Sequence, residues 1–443
     1  MENETKHIIS ADELWEVWPT LHEEERKDWF AQLERGEAED FFSSMTPEDQ
    51  AILLEHLDTK ERRLWMRTLA PDDAADVLQE VSSEELKNEF IGYLPDKTQK
   101  ETKALLAYAE DDAGGLMSPR FGRLRPDMTV DEAISYLRKQ LSDELETMYY
   151  VYVLDSQQHL LGVVAFSALF KANGHSIIRD IMETDLITID DTADQEAVAI
   201  LFAREDLFAL PVVDKDGCMK GIITIDDIVD VVQEEATEDI QKLGGMSALD
   251  TSYFQTDLKD MIKKRLGWLV VLFFGSLITT QAMQSYEDAM SKAAILSVFV
   301  PLIISCGGNT GSQAATLITR AMALDELHLR DALLVFKREF LVGAFLGVII
   351  GLLGFGRVVV GQWLGLSDVD VYLTLAMCVS LSIMVCVLCG SLVGSMLPFL
   401  LKLCKVDPAT ASAPFVATLV DVTGVIIYFT FATLLLSGTL LPA

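Results

Sequence analysis

Apolar and polar residues are distributed differently in three successive parts of the chain. Residues 1 to about 112 carry apolar residues at helical spacing and lack the alternation that is typical of strands. From residue 116 to about 232, short Val-rich runs alternate with helical patterns. Beyond residue 263 the chain consists largely of long apolar segments. The pattern predicts a multidomain protein with an all-α domain, an α/β region and an α-helical membrane domain.

The N-terminal part contains a weak internal repeat. Pro47, Pro71 and Pro95 recur every 24 residues, and the first two precede acidic residues and an apolar helical pattern. Proline in the first turn of a helix and acids near its positive end are both favourable. We therefore expect short helices that stack as a small superhelical domain.

The α/β part shows one pattern twice. LMSPRFGRLRPDMTVDEAISYL leads into YYVYVLDSQQHLLGVVAFSALF, and IMETDLITIDDTADQEAVAILF leads into FALPVVDKDGCMKGIITIDDIV. Each copy predicts a short strand, a helix, two strands around a turn, and a second helix. Asp155–Gly162 and Asp214–Gly221 indicate the two turns.

Five apolar segments follow, and each is long enough to cross roughly 30 Å of hydrocarbon. They predict a membrane domain with five transmembrane helices. The predicted spans are Leu266–Met283, Ala293–Thr319, Phe340–Val360, Val371–Leu401 and Ala409–Leu436.

The second and fifth segments contain groups that a lipid-facing helix would not tolerate. In PLIISCGGNTGSQAAT, Pro301 removes a backbone donor, and Gly307 and Gly308 should loosen the helix. Asp421 is the only charged residue from Pro408 to the end, and an intramembrane carboxylate marks a candidate functional site. The glycines have a second explanation, because small residues four positions apart let two helices pack closely.

Charge separates the two halves of the chain. Residues 1–260 contain 58 Asp and Glu against 24 Lys and Arg, a net charge of −34, whereas residues 261–443 contain 10 against 11, a net charge of +1. The acidic half would repel nucleic acid and is suited to attracting cations. Five of the six cysteines lie in apolar segments, so neither a disulfide framework nor a zinc site is predicted.

The basic residues predict the orientation. MENETKHIIS lacks the features of a signal peptide, so the acidic half should stay in the cytosol. Nine Lys and Arg flank one side of the predicted spans, and only Lys292 and Arg357 lie near the other. We expect a multi-pass protein of the plasma (inner) membrane with its C-terminus outside.

An acidic segment connects the two halves. DDIVDVVQEEATEDIQKLGG predicts a helix on which Glu234, Glu235, Glu238 and Asp239 share one flank. Carboxylates at this spacing repel one another. Either water and salt screen them, or they hold a divalent cation such as Mg²⁺ or Ca²⁺, which prefers oxygen ligands.

The repeated α/β pattern resembles a tandem pair of CBS domains, modules that commonly sense adenine nucleotides or metal ions. Thr224 and Asp227 match the T-x-x-D spacing with which the family holds a ribose, whereas Val164, Ala165 and Phe166 in the first copy do not. The resemblance implies ATP or another adenine nucleotide in one half of the pair. No phosphate loop of the Walker kind is present, and we predict a sensor, not an enzyme.

The whole chain resembles the MgtE family of magnesium channels. The resemblance rests on the domain order and on PLIISCGGNTGSQAATLITRA and VDPATASAPFVATLVDVTGVIIY. It implies a homodimer in membrane lipid, with Asp421 of both subunits holding a hydrated Mg²⁺ in a central pore. The implied domains are a helical domain (1–112), two CBS domains (113–173 and 174–232), a connecting or plug helix (233–262) and a pore domain (263–443). The residues expected to line the pore are Pro301, Gly307, Gly308, Asn309, Thr310, Thr316, Pro414 and Thr418.

The resemblance also implies that cytosolic acids close the pore when they bind Mg²⁺ and open it when they repel one another. The matching residues are Asp194, Glu196, Asp206, Asp227, Asp230, Glu235, Glu238, Asp239 and Asp407. The chain departs from some relatives at Ser312 and Ala413, where they carry Asn, so the sequence does not establish a second pore site.

Two other functions stay open at this point. The membrane domain could be a coupled transporter or a broader divalent carrier, with Co²⁺ as an obvious second ion. Alternatively, the protein could be a membrane-anchored nucleotide sensor whose membrane part only dimerises.

Overall fold

The chain forms two compact units, residues 1–235 and residues 236–443. They are seen in a computed structural model that describes residues 9–140, 145–147, 149–249, 253–254, 256–365 and 370–440. The boundary between the units falls inside the predicted connecting segment, part of which lies outside the described residues. The finer division into five domains stays a prediction.

Helices build the N-terminal part of the first unit, as predicted. They are α1 Ala11–Val17, α2 Glu23–Phe30, α3 Arg35–Ser43, α4 Pro47–His56, α5 Thr59–Met66, α6 Pro71–Glu80, α7 Glu84–Ile91 and α8 Asp96–Leu105. Pro47 and Pro71 begin their helices, and the Thr46 hydroxyl accepts a hydrogen bond from the Asp49 amide at the start of α4. The buried apolar faces share one core that includes Trp18, Phe41 and Phe42.

The second part of the unit contains two small sheets of identical topology. Its elements are α9 Ala113–Leu116, β1 Arg123–Leu124, α10 Val130–Gln140, β2 Tyr150–Leu154, β3 Leu160–Ala165, α11 Phe166–Lys171, α12 Ile178–Ile181, β4 Ile189–Asp190, α13 Gln195–Glu205, β5 Ala209–Val213, β6 Met219–Thr224 and α14 Ile225–Leu243. In each sheet the first strand pairs in parallel with the second, which pairs antiparallel with the third. The predicted α/β pair is confirmed.

The predicted turns are too long, because their glycines lie in strands. Gly162 in β3 pairs with Val153, and Gly221 in β6 pairs with Val212. A side chain at Gly162 would come within 2.7 Å of the Met182 sulfur, where a neighbouring segment crosses the strand. These glycines therefore permit close approach of another segment.

The second unit is helical. It contains α15 Leu258–Gln284, α16 Glu287–Lys292, α17 Ile295–Ala323, α18 Ala332–Trp363, α19 Tyr372–Leu403 and α20 Ala413–Leu436. All except the short α16 are long and apolar enough to cross a membrane, which confirms the five predicted spans. Helix α19 packs against α17, α18 and α20, whereas α15 packs mainly on α20 and has no buried residue.

The expectation that Gly307 and Gly308 loosen the second span is wrong. Helix α17 is continuous through Pro301, Gly307 and Gly308. Gly307 lies against the Gly390 backbone of α19, and Gly311 lies against that of Gly394. The missing side chains allow the two backbones to approach, which stabilises the pair of helices through close packing.

Candidate metal sites in the two units

Asp421 is half-buried on α20, next to α17. A side chain at Gly308 would lie 3.9 Å from Asp421 Oδ1 and 3.5 Å from the Ala417 methyl, so the glycine leaves space beside the carboxylate. Gly307 is different, because a side chain there would come within 2.5 Å of the buried Cys386 sulfur. Packing thus explains Gly307, and its place in the pore stays a prediction.

The hydroxyl groups predicted to line the pore form hydrogen bonds within their own helices. Thr310 donates to the Cys306 carbonyl, Thr316 to the Ser312 carbonyl and Thr418 to the Pro414 carbonyl, each over 2.9 Å. A hydroxyl that donates in this way can still accept a hydrogen bond. These oxygens can therefore accept hydrogen bonds from the water shell of a hydrated cation.

The remaining polar and Pro positions differ in exposure. The Asn309 amide donates to the Ser305 hydroxyl over 3.4 Å and is exposed. Pro301 is also exposed, and Pro414 is half-buried in the first turn of α20. The roles of these positions as pore residues stay predictions.

The N-terminal end of α20 forms hydrogen bonds with residues of α15 and α17. The Ser312 hydroxyl donates to the Ala413 carbonyl over 3.0 Å, so the two positions at which this chain departs from its relatives meet. The Trp268 indole of α15 donates to the Ser412 hydroxyl, also over 3.0 Å. That same hydroxyl caps α20 by accepting from the Phe415 amide.

Three predicted metal ligands of the second unit lie near one another. Lys242 bridges two of them, because its Nζ is 2.5 Å from Glu238 Oε1 and 2.7 Å from Asp407 Oδ2. Burial raises the pKa of Asp239, and the charge of Asp407 raises it further. The three acids were predicted from the sequence, whereas Lys242 was missed, although its position four residues after Glu238 was a usable signal.

In the first unit, several predicted ligands have local structural roles. Asp194 caps α13 by accepting from the Glu196 amide over 2.9 Å. Asp206 ends that helix in the left-handed conformation, with φ of 51°. Glu235 accepts a hydrogen bond from the Gln195 amide group over 2.7 Å, whereas Asp230 is exposed.

Thr224 and Asp227 are bonded to each other. Asp227 Oδ2 accepts from the Thr224 hydroxyl over 2.7 Å and from its amide over 3.3 Å, which stabilises the start of α14. Burial raises the pKa of Asp227 to about 7, and the charge of Asp72 adds to the rise. Their role in holding a ribose stays a prediction.

A group of acids around Asp227 was missed. Burial, together with the charges of Glu146 and Asp73, raises the pKa of Asp72 to about 7. Burial, followed by the charges of Asp72 and Asp73, also raises the pKa of Asp76 well above its usual range. One oxygen of Asp72 is buried without a hydrogen-bond partner in the part of the chain that the structure describes. The acids at Pro71–Asp73 were interpreted as helix-start residues, and nothing in the sequence connects them with Glu146.

An exposed aromatic pair was also missed. Tyr149 and Phe208 stack with ring centroids 5.4 Å apart and an interplanar angle of 25°. They stand at equivalent points, just before β2 and β5, and the Phe208 carbonyl accepts from the Ile225 amide beside Thr224. In the sequence, the only signal for this pair is that Tyr149 and Phe208 occupy equivalent positions in the two copies of the α/β pattern.

Among the described residues, no three His, Cys, Asp or Glu side chains are arranged to hold a metal ion. Mg²⁺ often keeps several water ligands and needs only one or two carboxylates. The acids present therefore fit hydrated Mg²⁺ better than a tight metal cage.

These features define a membrane protein with an acidic helical domain, a pair of CBS-like sheets and five apolar helices, one of which carries an intramembrane carboxylate. Residues 9–111 match the MgtE intracellular N domain, residues 178–234 match the CBS domain, and residues 300–431 match the divalent cation transporter family MgtE. The N-terminal domains are cytosolic.

Relatives extend the match to nearly the whole chain. The magnesium transporter MgtE of Thermus thermophilus is 39% identical over 432 residues, which cover 97% of this chain and 94% of the relative. The magnesium transporter MgtE of Enterococcus faecalis is 31% identical, with 97% and 95% covered. A crystal structure of the cytosolic domain of the Mg²⁺ channel MgtE in complex with ATP is 36% identical, covers 52% of this chain and 92% of that chain, and has a TM-score of 0.46. The chain belongs to the MgtE family.

Proposed function

We propose that this protein transports Mg²⁺ across the membrane and that the hydrated ion passes Asp421. The observation that carries the proposal is an intramembrane carboxylate beside Gly308, in a chain that belongs to a family of magnesium transporters. Charged residues inside a membrane are costly and commonly mark ion pathways. Mg²⁺ loses water reluctantly, so a carboxylate at the edge of an open space suits the hydrated ion.

A homodimeric channel is the arrangement that we favour. Two Asp421 carboxylates across a dimer axis would balance the double charge of one ion. Helices α17 and α20 would then line the pore. With the N-terminal domains in the cytosol, five crossings would leave the C-terminus outside.

Cytosolic Mg²⁺ would regulate this path through the acidic residues. Asp194, Glu196, Asp206, Asp227, Asp230, Glu235, Glu238, Asp239 and Asp407 are the proposed ligands, and we add Asp72, Asp76 and Glu146. The raised pKa values of Asp72 and Asp227 support this role, because they reflect carboxylates whose charge is poorly compensated. Mg²⁺ would stabilise the conformation in which these carboxylates lie close together.

The test is Mg²⁺ uptake into liposomes that contain the purified protein and a Mg²⁺-sensitive dye. We expect Asp421→Asn to abolish uptake, whereas Asp288→Asn, which alters an exposed acid, should leave it intact. Uptake that survives Asp421→Asn would exclude the proposed path. If the wild-type protein moves no Mg²⁺, the result would favour the alternative function of a membrane-anchored nucleotide sensor.

The same liposomes distinguish a channel from a coupled carrier. A channel should give Mg²⁺ current that follows the imposed voltage without a gradient of any other ion. Dependence on a second gradient would indicate coupling. Comparison of Co²⁺ with Mg²⁺ under one voltage would define the ion range.

We also propose that an adenine nucleotide binds the CBS pair. Exposed aromatic rings can stack on a base. The Phe208 carbonyl accepts a hydrogen bond from the Ile225 amide, directly after Thr224, and Tyr149 stacks on the Phe208 ring. Titration calorimetry with ATP should show binding that Phe208→Ala weakens at least tenfold. Phe170→Ala changes a similarly exposed ring elsewhere and is the control. Equal affinities for the two variants would remove the aromatic pair from the site.

A further inference from the structure

We propose that Lys242 is a positioning residue that attaches the C-terminal end of α14 to the entrance of α20 without a metal ion. Its ammonium group bridges Glu238 and Asp407 in the place where Mg²⁺ would bridge them. The attachment by Lys242 does not depend on the proposed regulation by Mg²⁺. The claim that Mg²⁺ can take the place of the ammonium deepens that regulation and rests on it.

The geometry of the bridge carries the first step. Lys242 Nζ contacts Glu238, one turn earlier on α14, and Asp407, which lies 165 residues later. Lysine has three N–H donors and no acceptor, so a single ammonium can satisfy both carboxylates. All three side chains are partly shielded, with exposures of 24%, 33% and 39% for Lys242, Glu238 and Asp407. The contact therefore joins the connecting helix to the membrane helices of the same unit.

Asp407 is itself held in place. Its Oδ1 accepts from the Ala409 amide over 2.8 Å, and its Oδ2 accepts from Lys242. Each oxygen thus has a partner. A cation that binds between Asp407 and Glu238 must displace the ammonium or share the Asp407 carboxylate with it.

A packing contact supports the ionic one. Gly245 follows α14 with φ of +76°, in the left-handed region, and a side chain there would lie 2.7 Å from the Trp268 ring. The same position faces the Pro414 ring at 3.4 Å. The segment that follows α14 therefore packs on Trp268 of α15 and on the first turn of α20, three residues beyond Lys242.

The charge balance explains why the ammonium matters. Glu238, Asp239 and Asp407 bring three negative charges to this corner, and Lys242 and Arg320 supply the nearby positive ones. Without Lys242 the carboxylates would repel one another and α14 would be released. A divalent cation could then replace the lost positive charge.

The experiment is hydrogen–deuterium exchange of residues 237–246 in the full-length protein in lipid nanodiscs. In EDTA, Lys242→Met should exchange about 1.5- to 5-fold faster than the wild type, the range expected for partly exposed ion pairs. Lys242→Arg should restore slow exchange, because arginine keeps the charge. Lys259→Met removes an exposed lysine of α15 and should have no effect.

Addition of Mg²⁺ tests whether the cation can take the place of the Lys242 ammonium. We expect Mg²⁺ to slow exchange more in Lys242→Met than in the wild type, in which the ammonium already bridges two of the carboxylates. Asp407→Asn should also exchange faster in EDTA, but Mg²⁺ should not rescue it, since the shared carboxylate is gone.

If Lys242→Met exchanges at the wild-type rate in EDTA, Lys242 does not attach α14 to the entrance of α20. This conclusion holds whatever ion the protein transports. Failure of Mg²⁺ to slow exchange in that variant would overturn the shared site. Loss of Mg²⁺ uptake in liposomes is a separate result that bears only on the proposed function, because the EDTA comparison contains no transported ion.

Discussion

The Ser312 hydroxyl of α17 donates a hydrogen bond to the Ala413 carbonyl of α20 over 3.0 Å. These helices carry the candidate ion path, and the bond joins them about one turn from Gly308 on α17 and about two turns from Asp421 on α20. Hydrogen bonds between membrane helices contribute about 0.6 kcal/mol on average. The Ser312 hydroxyl therefore contributes modestly to the association of α17 and α20.

We therefore predict that Ser312→Ala lowers the free energy of unfolding by about 0.6 kcal/mol and leaves Mg²⁺ uptake largely intact. Thermal unfolding in nanodiscs and liposome uptake are the measurements. Ser276→Ala is the matched control, because that exposed hydroxyl donates only within its own helix. Abolished uptake in Ser312→Ala would show that the hydroxyl acts directly on the ion.

A second prediction concerns the contact between α17 and α19. A methyl group at Gly394 would collide with the Gly311 carbonyl, so Gly394→Ala should lower the free energy of unfolding by about 1–3 kcal/mol. A methyl group at Gly356 would have no neighbouring atom within 4 Å, so Gly356→Ala should be neutral or slightly stabilising. Equal thermal midpoints for the two variants would contradict the close packing.

A third prediction concerns pH and the buried acids. The pKa values of Asp72 and Asp227 are raised to about 7 from the usual 3.8, chiefly by burial. Between these values the folded protein binds more protons than the unfolded chain, so stability falls as pH rises from about 4 through about 7. Asp72→Asn should consequently stabilise the first unit at pH 8 without Mg²⁺, on the order of 2–4 kcal/mol.

Tryptophan fluorescence during urea unfolding measures this effect, because Trp15, Trp18, Trp29 and Trp65 report on the helical domain. The gain from Asp72→Asn should disappear near pH 4. Asp40→Asn changes an exposed acid and is the control. A gain of the same size at both pH values would mean that the charge of Asp72 is not its cause.

A fourth prediction concerns the connecting helix. If Mg²⁺ closes the path through Glu235, Glu238 and Asp239, their combined replacement by neutral amides should leave transport active at millimolar-scale cytosolic Mg²⁺. The measurement is uptake at increasing internal Mg²⁺, compared with the wild type. Replacement of the exposed Glu84 and Glu85 by Gln is a control that changes acids on α7. Unaltered inhibition in the triple variant would exclude this helix from regulation.

Periodicity and composition were sufficient for the larger architecture. Pro47 and Pro71 begin helices, the repeated Val-rich pattern forms two identical sheets, and five apolar segments form long helices. These features depend on the spacing of residues that are close in sequence, and this spacing can be read from one sequence alone. The extent of the turn that ends at Gly162 and the loosening of the helix at Gly307 and Gly308 were predicted wrongly, because the glycines were interpreted locally.

Close approach between distant segments decides those two positions. Met182 crosses Gly162, and the α19 backbone lies against Gly307 and Gly311. Sequence alone cannot distinguish a glycine that bends a chain from one that admits a neighbour, since both need only the absence of a side chain.

The sequence by itself determined which residues have unusual chemistry: Asp421 in an apolar helix, and the acids along α14. Only the tertiary structure decided their partners. Lys242 lies between Glu238 and Asp407, and Asp72 lies close enough to Asp227 to raise its pKa. Charges act through space and through the surrounding medium, and distance and burial exist only once the chain has folded.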